Sequence, residues 1–571
     1  MSALDWVVLL GALATFVGYG VWRGRGQHDL KGYLLAGRSM PGWAVALSVM
    51  ATQASAITFL STPGQGYADG LRFVQFYFGL PLAMIVLCVT VVPIFHRLGV
   101  YTAYEYLESR FDGKTRSLAA GLFLVQRGLA AGLTIYAPSL VLSVVLGWDV
   151  RATCALIGAL VVIYTATGGS RAVGHTQVLQ FGIILGTMAV AFLMVVRSLP
   201  EGVGFSDALA VAGRLGKLHA VETKFDPNDR YNLWSGLIGG FFLQLAYFGT
   251  DQSQVGRYLT GQSVAESRKG LIANGVLKIP MQFLILLLGV TVFVFHLFVP
   301  APVFFQPRES AKLASGAHAA EYGAIAARHD AAWAERRDGA EALVQALRAK
   351  DDGAAGAATQ VVRDAQARMS EARTDVVGLL KRTVPGAQTN DTNYVFLEFV
   401  LKFLPAGLVG LVLAALFAAS MNSTSAELSA LTSTTVVDVL RRLPGHVSDE
   451  RRDVWTSRVV TVVWAAFAVG FAQWASGLGT LIEAVNILGS LFYGTILGIF
   501  LCAFYLKRVG GHAVFAGAIV AEAVVVACFT STKISFLWYN LIGCALVMIV
   551  ATVLSVVWPR RESASTSATA A

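Results

Sequence analysis

Two stretches far apart in this 571-residue chain put oxygen-bearing side chains where apolar ones are expected. The first, ATQASAITFLSTPG from residue 51, sets Thr52, Gln53, Ser55, Thr58, Ser61 and Thr62 inside a long apolar segment that begins near Trp43. The second, AALFAASMNSTSAELSALTSTTVVD over 414–438, crowds Ser420, Asn422, Ser423, Thr424, Ser425, Glu427 and Ser429 onto one predicted helix. Such groups suit the capture of a hard monovalent cation. Several neutral carbonyl and hydroxyl oxygens replace its hydration shell, whereas anionic ligands alone would hold it too tightly for turnover. An intact helix has no carbonyls to lend, but an unwound one does, and unwound backbone at membrane depth is tolerated where it lines a cavity or is buried in protein. Residues 51–64 have the composition for this, with small residues for close approach and Pro63-Gly64 to keep the helix from resuming. Taken alone, this window fits equally well with small residues packing helices and hydroxyls bonding back to their own helix. The second window tips the balance towards a cation site.

The elements that must position these groups are membrane spans. The chain is 55% hydrophobic and 14% charged, with mean hydropathy +0.62, against roughly 25% charged residues in a soluble domain. Apolar segments recur at about 5–22, 42–66, 73–95, 118–146, 151–167, 177–197, 233–250, 271–299, 396–421, 457–474, 479–505, 512–529 and 535–558. The expected fold class is therefore an all-α polytopic membrane protein of about 13 transmembrane helices. Basic residues concentrate in alternate loops, among them Arg23, Arg25, Lys31 and Arg38, then Arg97, Arg110, Lys114 and Arg116, then Arg171, and finally Arg560 and Arg561. This places the N-terminus outside and the C-terminus in the cytoplasm of a multi-pass plasma (inner) membrane protein. The net charge of +9 is retained loop charge, so no nucleic acid is implied. No partner protein is inferred either, and membrane lipid is the only large partner expected.

The chain divides into an N-terminal anchor helix and cytoplasmic loop (1–40), a first repeat (41–198), an extracellular loop (199–232) and the first part of a second repeat (233–304). An extracellular helical insertion (305–392) follows, Ala-rich and charged, with apolar residues at helical spacing. The second part of the second repeat (393–505), two C-terminal helices (506–558) and a disordered cytoplasmic tail (559–571) complete it.

The segments GRSMPGWAVALSVMATQASAITFLSTPGQGYADG, VYTAYEYLESRF, IYAPSLVLSVVLGWDV, YTATGGSRAVGHTQVLQ, YFGTDQSQVGRYL, MNSTSAELSALTSTTVVDVL and GSLFYGTILGIFLCAFYLKR resemble, in order, the sodium/solute symporter family. TAYEYLESRF and YAPSLVL are most similar to its monocarboxylate and multivitamin branch. The resemblance implies inverted five-helix repeats with discontinuous helices, the LeuT-like architecture. It implies a sodium site formed by the carbonyls of Ala51, Ala54 and Ala419 and the side chains of Asn422 and Ser423, with Asn422 where the family usually has Ser. Gln177 stands where the family tract usually carries an Asp, and His175 beside it raises proton coupling as an alternative. Similarity to sugar-carrying members implies solute contacts at Gln53, Thr58, Gln244, Tyr247 and Asn486.

Two charges stand out within spans. Arg127 lies about ten residues into one, where it could bind a solute carboxylate, pair with Glu427 or Glu483, or reach the cytoplasmic surface. Glu427 shares a helical face with Ser423 and could tune the cation site. The expectation is a secondary active transporter, symporting sodium with a small organic solute, either a monocarboxylate or vitamin-like anion or a sugar. The alternatives are a proton-coupled symporter of the same fold and an ion channel. Sodium is the coupling ion and the only metal, no other cofactor is implied, and no residue constellation points to an enzyme.

Overall fold

The computed structural model describes residues 1–23, 38–384, 387–444, 449–474 and 480–558, and the backbone alone at 164 and 167–172. Most of the basic loop at 24–37, the Arg171 side chain and the tail from 559 lie outside the described residues.

The helices used below are α1 (Ala3–Arg23), α2 (Gly42–Gln53), α3 (Ala56–Asp69), α4 (Gly113–Leu146), α5 (Val150–Arg197), α6 (Gly240–Thr250), α7 (Gln252–Tyr258) and α8 (Val264–Phe298). They continue with α9 (Ala319–Ala349), α10 (Asp352–Thr383), α11 (Leu408–Thr434), α12 (Glu450–Ala472), α13 (Leu481–Tyr505), α14 (Gly511–Ser531) and α15 (Leu537–Val557). Among the described residues ten helices are long and apolar enough to cross a membrane, or up to eleven with the bent pair α2 and α3 counted as one span. The apolar segment 151–167 is the first part of the continuous helix α5, and 233–250 runs from a π turn at Ser235–Gly239 to Thr250.

Local chemistry fixes many helix starts. Asp112 accepts from the Thr115 amide at 2.8 Å to open α4, and Asp351 accepts from the Ala354 amide at 2.9 Å to open α10. Two spans are interrupted. Helices α2 and α3 meet at a bend of 62° across Ala54 and Ser55. Helices α6 and α7 meet at Asp251, whose extended backbone (φ −79°, ψ 117°) separates them. The first break falls within the 51–64 window, but Pro63-Gly64 does not keep the helix from resuming: Pro63 lies inside α3, buried. The helix resumes at Ala56 and runs on to Asp69 through Pro63, whose missing amide costs it one internal bond without ending it.

Helix α3 is clamped against α8 by glycines. A Cβ on Gly66 would collide with the Leu286 carbonyl, and one on Gly289 with that of Pro63. The 305–392 segment forms Pro307–Ser315 followed by the long hairpin of α9 and α10, whose residues pack against the end of α8 and the loop helix Phe205–Arg214.

Gly289→Ala is expected to lower the melting temperature of the detergent-solubilised protein, because overpacking a fixed crossing costs about 1–3 kcal/mol. Gly186→Ala, whose Cβ would meet open space, should leave it unchanged. Equal effects of the two would show that the α3–α8 crossing is not a tight one.

Candidate functional site

The site grows from the first helix break. The Ala54 amide still reaches the Met50 carbonyl at 2.8 Å, but Ser55 (φ −78°, ψ 171°) leaves the helix before α3 opens. The carbonyls of Ala51, Thr52 and Gln53 at the end of α2, with that of its C-cap Ala54, are thus the four that a helix leaves without intrahelical partners. Ser423 on α11 reaches one of them, its hydroxyl donating to the Thr52 carbonyl at 3.0 Å. Ala51, Ala54 and Ala419 are fully buried. Asn422 is equally buried, and neither its Oδ1 nor its Nδ2 has a hydrogen-bond partner in the protein. Buried amides are rarely left so. The two sequence windows therefore meet, and they meet around unsatisfied oxygens.

Gln177 on α5 fastens them together. Its Oε1 accepts from the Ser48 hydroxyl at 2.6 Å, while its Nε2 donates to Thr52 Oγ1 at 3.1 Å and to the Asn422 carbonyl at 3.2 Å. A carboxylate here could still accept from the two hydroxyls but would face the Asn422 carbonyl without a proton to give. A neutral amide is what this geometry requires. His175, two residues earlier, is half-buried and does not line the cavity described next.

That cavity lies beside the break. Gln53, Thr58, Gln244, Tyr247 and Asn486, the five expected solute contacts, all line it, together with Thr52 and Ser423 from the cation candidate. Gln53 Oε1, Gln244 Oε1 and Asn486 Nδ2 have no partner in the protein, nor does Oε1 of Gln126, a lining residue that the sequence reading missed. The Tyr247 hydroxyl accepts from Gln254 Nε2 at 2.7 Å.

Arg127 and Glu427 also line the cavity, and they bond to each other, Nη1 to Oε1 at 3.0 Å. The other end of the guanidinium contacts the Asp251 carboxylate and the Tyr493 hydroxyl, and its carbon sits 5.5 Å from the Tyr247 ring centre. Tyr493 in turn donates to Asp251 at 2.7 Å, Thr134 donates to Glu427 at 2.7 Å, and the Ser253 hydroxyl donates to Asp251 at 2.6 Å. One cation between two carboxylates gives the cluster a formal charge of −1. Glu483 is not part of it: that carboxylate takes Arg230 at 2.8 Å and the Tyr231 hydroxyl at 3.1 Å. Asp251 and Tyr493 were not singled out from sequence. The signal for Asp251 was a lone carboxylate closing an apolar run just before Ser253, an N-cap pattern that also marks the second helix break.

The fold and the cavity define a polytopic carrier with solute and ion candidates at interrupted helices. The family model described as "Sodium:solute symporter family" matches residues 33–322 and 372–521. The chain belongs to the sodium:solute symporter family. It is 27% identical over 502 residues to sodium-coupled monocarboxylate transporter 1 of Mus musculus, covering 87% of this chain and 68% of that one. It is 24% identical over 565 residues to the sodium/sialic acid symporter SiaT of Proteus mirabilis, covering 96% and 94%. A solved Na+-coupled sialic acid symporter in a substrate-bound outward-open state superimposes with a TM-score of 0.75 at 22% identity, over 98% of this chain and all of that one, so the LeuT-like fold is shared. The family and these relatives are transporters, not enzymes.

Asp251→Asn should lower the melting temperature well beyond Glu483→Gln. Breaking a buried ion pair from one side costs about 3–5 kcal/mol, whereas a pair with one largely exposed partner, such as Arg230–Glu483, is screened by solvent and costs less. Melting curves in one detergent compare the two directly, and equal shifts would mean that Arg127 does not depend on the buried trio.

Proposed function

We propose that the protein carries a small, polar, uncharged organic solute into the cell together with sodium, by alternating access. One observation carries the reading: the freed end of α2 and the Asn422–Ser423 step of α11 form a single wall shared by the buried oxygens and the solute cavity. In this reading the carbonyls of Ala51, Ala54 and Ala419, with Asn422 Oδ1 and Ser423 Oγ, hold the sodium ion. Gln53, Thr58, Gln244, Tyr247 and Asn486 hold the solute. Because Thr52 and Ser423 belong to both, an ion that orders this wall raises the affinity of the outward-facing state for solute, and a ligand shifts an equilibrium only through such differential binding.

The driving force is sufficient. A potential of about 100 mV gives about 2.3 kcal/mol per sodium ion, and a tenfold concentration gradient adds about 1.4. The total of about 3.7 kcal/mol concentrates a neutral solute several hundredfold per ion.

The preference for an uncharged solute comes from Arg127. Its charge is met by Glu427 and Asp251, so a solute carboxylate would have to displace one of them. The partnerless amides of Gln53, Gln126, Gln244 and Asn486 instead offer hydrogen bonds to hydroxyl or carbonyl groups. This departs from the monocarboxylate named for the mouse relative. The distribution of Lys and Arg supports an N-terminus outside and a C-terminus in the cytoplasm of the plasma (inner) membrane.

Uptake into proteoliposomes from a panel of sugars, monocarboxylates, amino acids and vitamins tests the reading, with sodium or choline outside. Sodium-dependent, concentrative uptake of an uncharged polar solute is expected. Equal uptake in choline, with dependence on a proton gradient, would replace sodium by protons, and dissipative flux would indicate a channel. Within that assay Ser423→Ala should raise the half-saturating sodium concentration about tenfold, the effect of losing roughly 1.4 kcal/mol of binding. Ser429→Ala should not, because its hydroxyl donates back to the Ser425 carbonyl at 2.7 Å. Matching effects would remove Ser423 from the proposed cage.

A further inference from the structure

Most of the hairpin of α9 and α10, residues 323–371, has no counterpart in the family model, which stops at residue 322 and resumes at 372, just before Arg373. Yet it does more than cover a surface. It completes a second cavity with family residues: Arg336 and His329 from α9 and Arg373 from α10 face Tyr67 and Ala68 at the end of α3, and Lys217 from the loop before α6.

The charges around this cavity do not balance. Arg373 is paired with Asp391 at 2.6 Å. Lys217 bonds the Tyr67 carbonyl at 2.9 Å, and the Asp69 carboxylate at the end of α3 acts on its charge. Arg336 is 1% exposed, and no carboxylate lies within ion-pair distance of it among the described residues. Its Nη groups donate to the His296 carbonyl at 2.6 Å and to Gln366 Oε1 at 2.5 Å, the Tyr67 hydroxyl stands beside it, and its Nε has no partner. The His296 carbonyl belongs to the last turn of α8, so the negative end of that helix offsets part of the charge. A helix end carries only about half a unit of charge. Burial keeps His329 neutral, so the histidine adds no further cation. What is left is a buried guanidinium with an unused donor, beside Lys217 and Arg373, lining one cavity.

We infer that this cavity is an anion site that the inserted hairpin builds at the end of α3, taking a small monovalent anion such as chloride. On the orientation proposed above it is extracellular. An anion there bridges the hairpin to the outer half of the broken span, since Arg336 comes from one and Tyr67 from the other.

The test needs no transport assay. Thermal melting of the full-length protein in detergent is followed at constant sodium and ionic strength while gluconate is replaced by chloride, or in a second arm by acetate. A saturable rise of about 2 °C is expected for chloride, the size that excess of a ligand over its dissociation constant produces in a chain this large. Saturation by acetate as well would extend the site to carboxylates. Arg336→Gln should abolish the rise. Arg348→Gln, which alters a hairpin arginine that pairs with Asp207 outside this cavity, should keep it. Should Arg336→Gln fail to fold, Arg373→Gln decides, with an expected tenfold weaker half-saturation. A rise that never saturates, or one that survives both cavity substitutions, would overturn the inference.

Discussion

The structure depends on a carbonyl problem. Within the hydrocarbon layer no water is present to bond a freed backbone oxygen, so a helix interrupted there must find partners in the protein or in a ligand. Helix α2 stops at Gln53 and releases four carbonyls at once. The packing around that point answers the need in part: Ser423 crosses from α11 to the Thr52 carbonyl, and Gln177 crosses from α5 to the Thr52 hydroxyl. What these do not reach, including the idle amide of Asn422, is where the proposed ion rests.

The electrostatics follow the same logic. The two residues that the family resemblance marks as departures, Gln177 and Asn422, meet through the Asn422 backbone carbonyl, which accepts from Gln177 Nε2 at 3.2 Å while the Asn422 side chain stays without a partner. Gln177 replaces a charge with an amide that both donates and accepts, so the proposed cage is neutral on that side. A formal negative charge beside the cavity belongs to the Arg127, Glu427 and Asp251 cluster, one cation shared by a carboxylate at the second helix break and one on α11. That cluster draws α4, α11 and the break before α7 to one place beside the cavity, and among the described residues it occupies the only arginine lining the cavity.

Much of this was legible in the sequence because a membrane core makes polar residues conspicuous. Thr52, Gln53 and Thr58 stood out in one window and Asn422 and Ser423 in the other, and in the structure the two windows touch. The break falls inside the expected window, at Ala54 and Ser55, but Pro63-Gly64 plays no part in it: the helix runs on through Pro63, and the end of α2 is met by tertiary bonds from Ser423 and Gln177. Asp251 was missed for a related reason: its partner Arg127 is 124 residues away, and no local pattern announces such a pair. The inserted hairpin was readable as helices from its apolar spacing, but not the cavity it closes, since Arg336 in sequence resembles any solvated arginine of a charged helix.

The most direct measurement is a high-resolution structure determined in sodium and again in choline. A peak of ion density that touches the Ala51, Ala54 and Ala419 carbonyls, Asn422 Oδ1 and Ser423 Oγ, present only in sodium, is the predicted result. A helix that runs unbroken through Ala54 and Ser55, or an identical water-filled gap in both salts, would contradict the account.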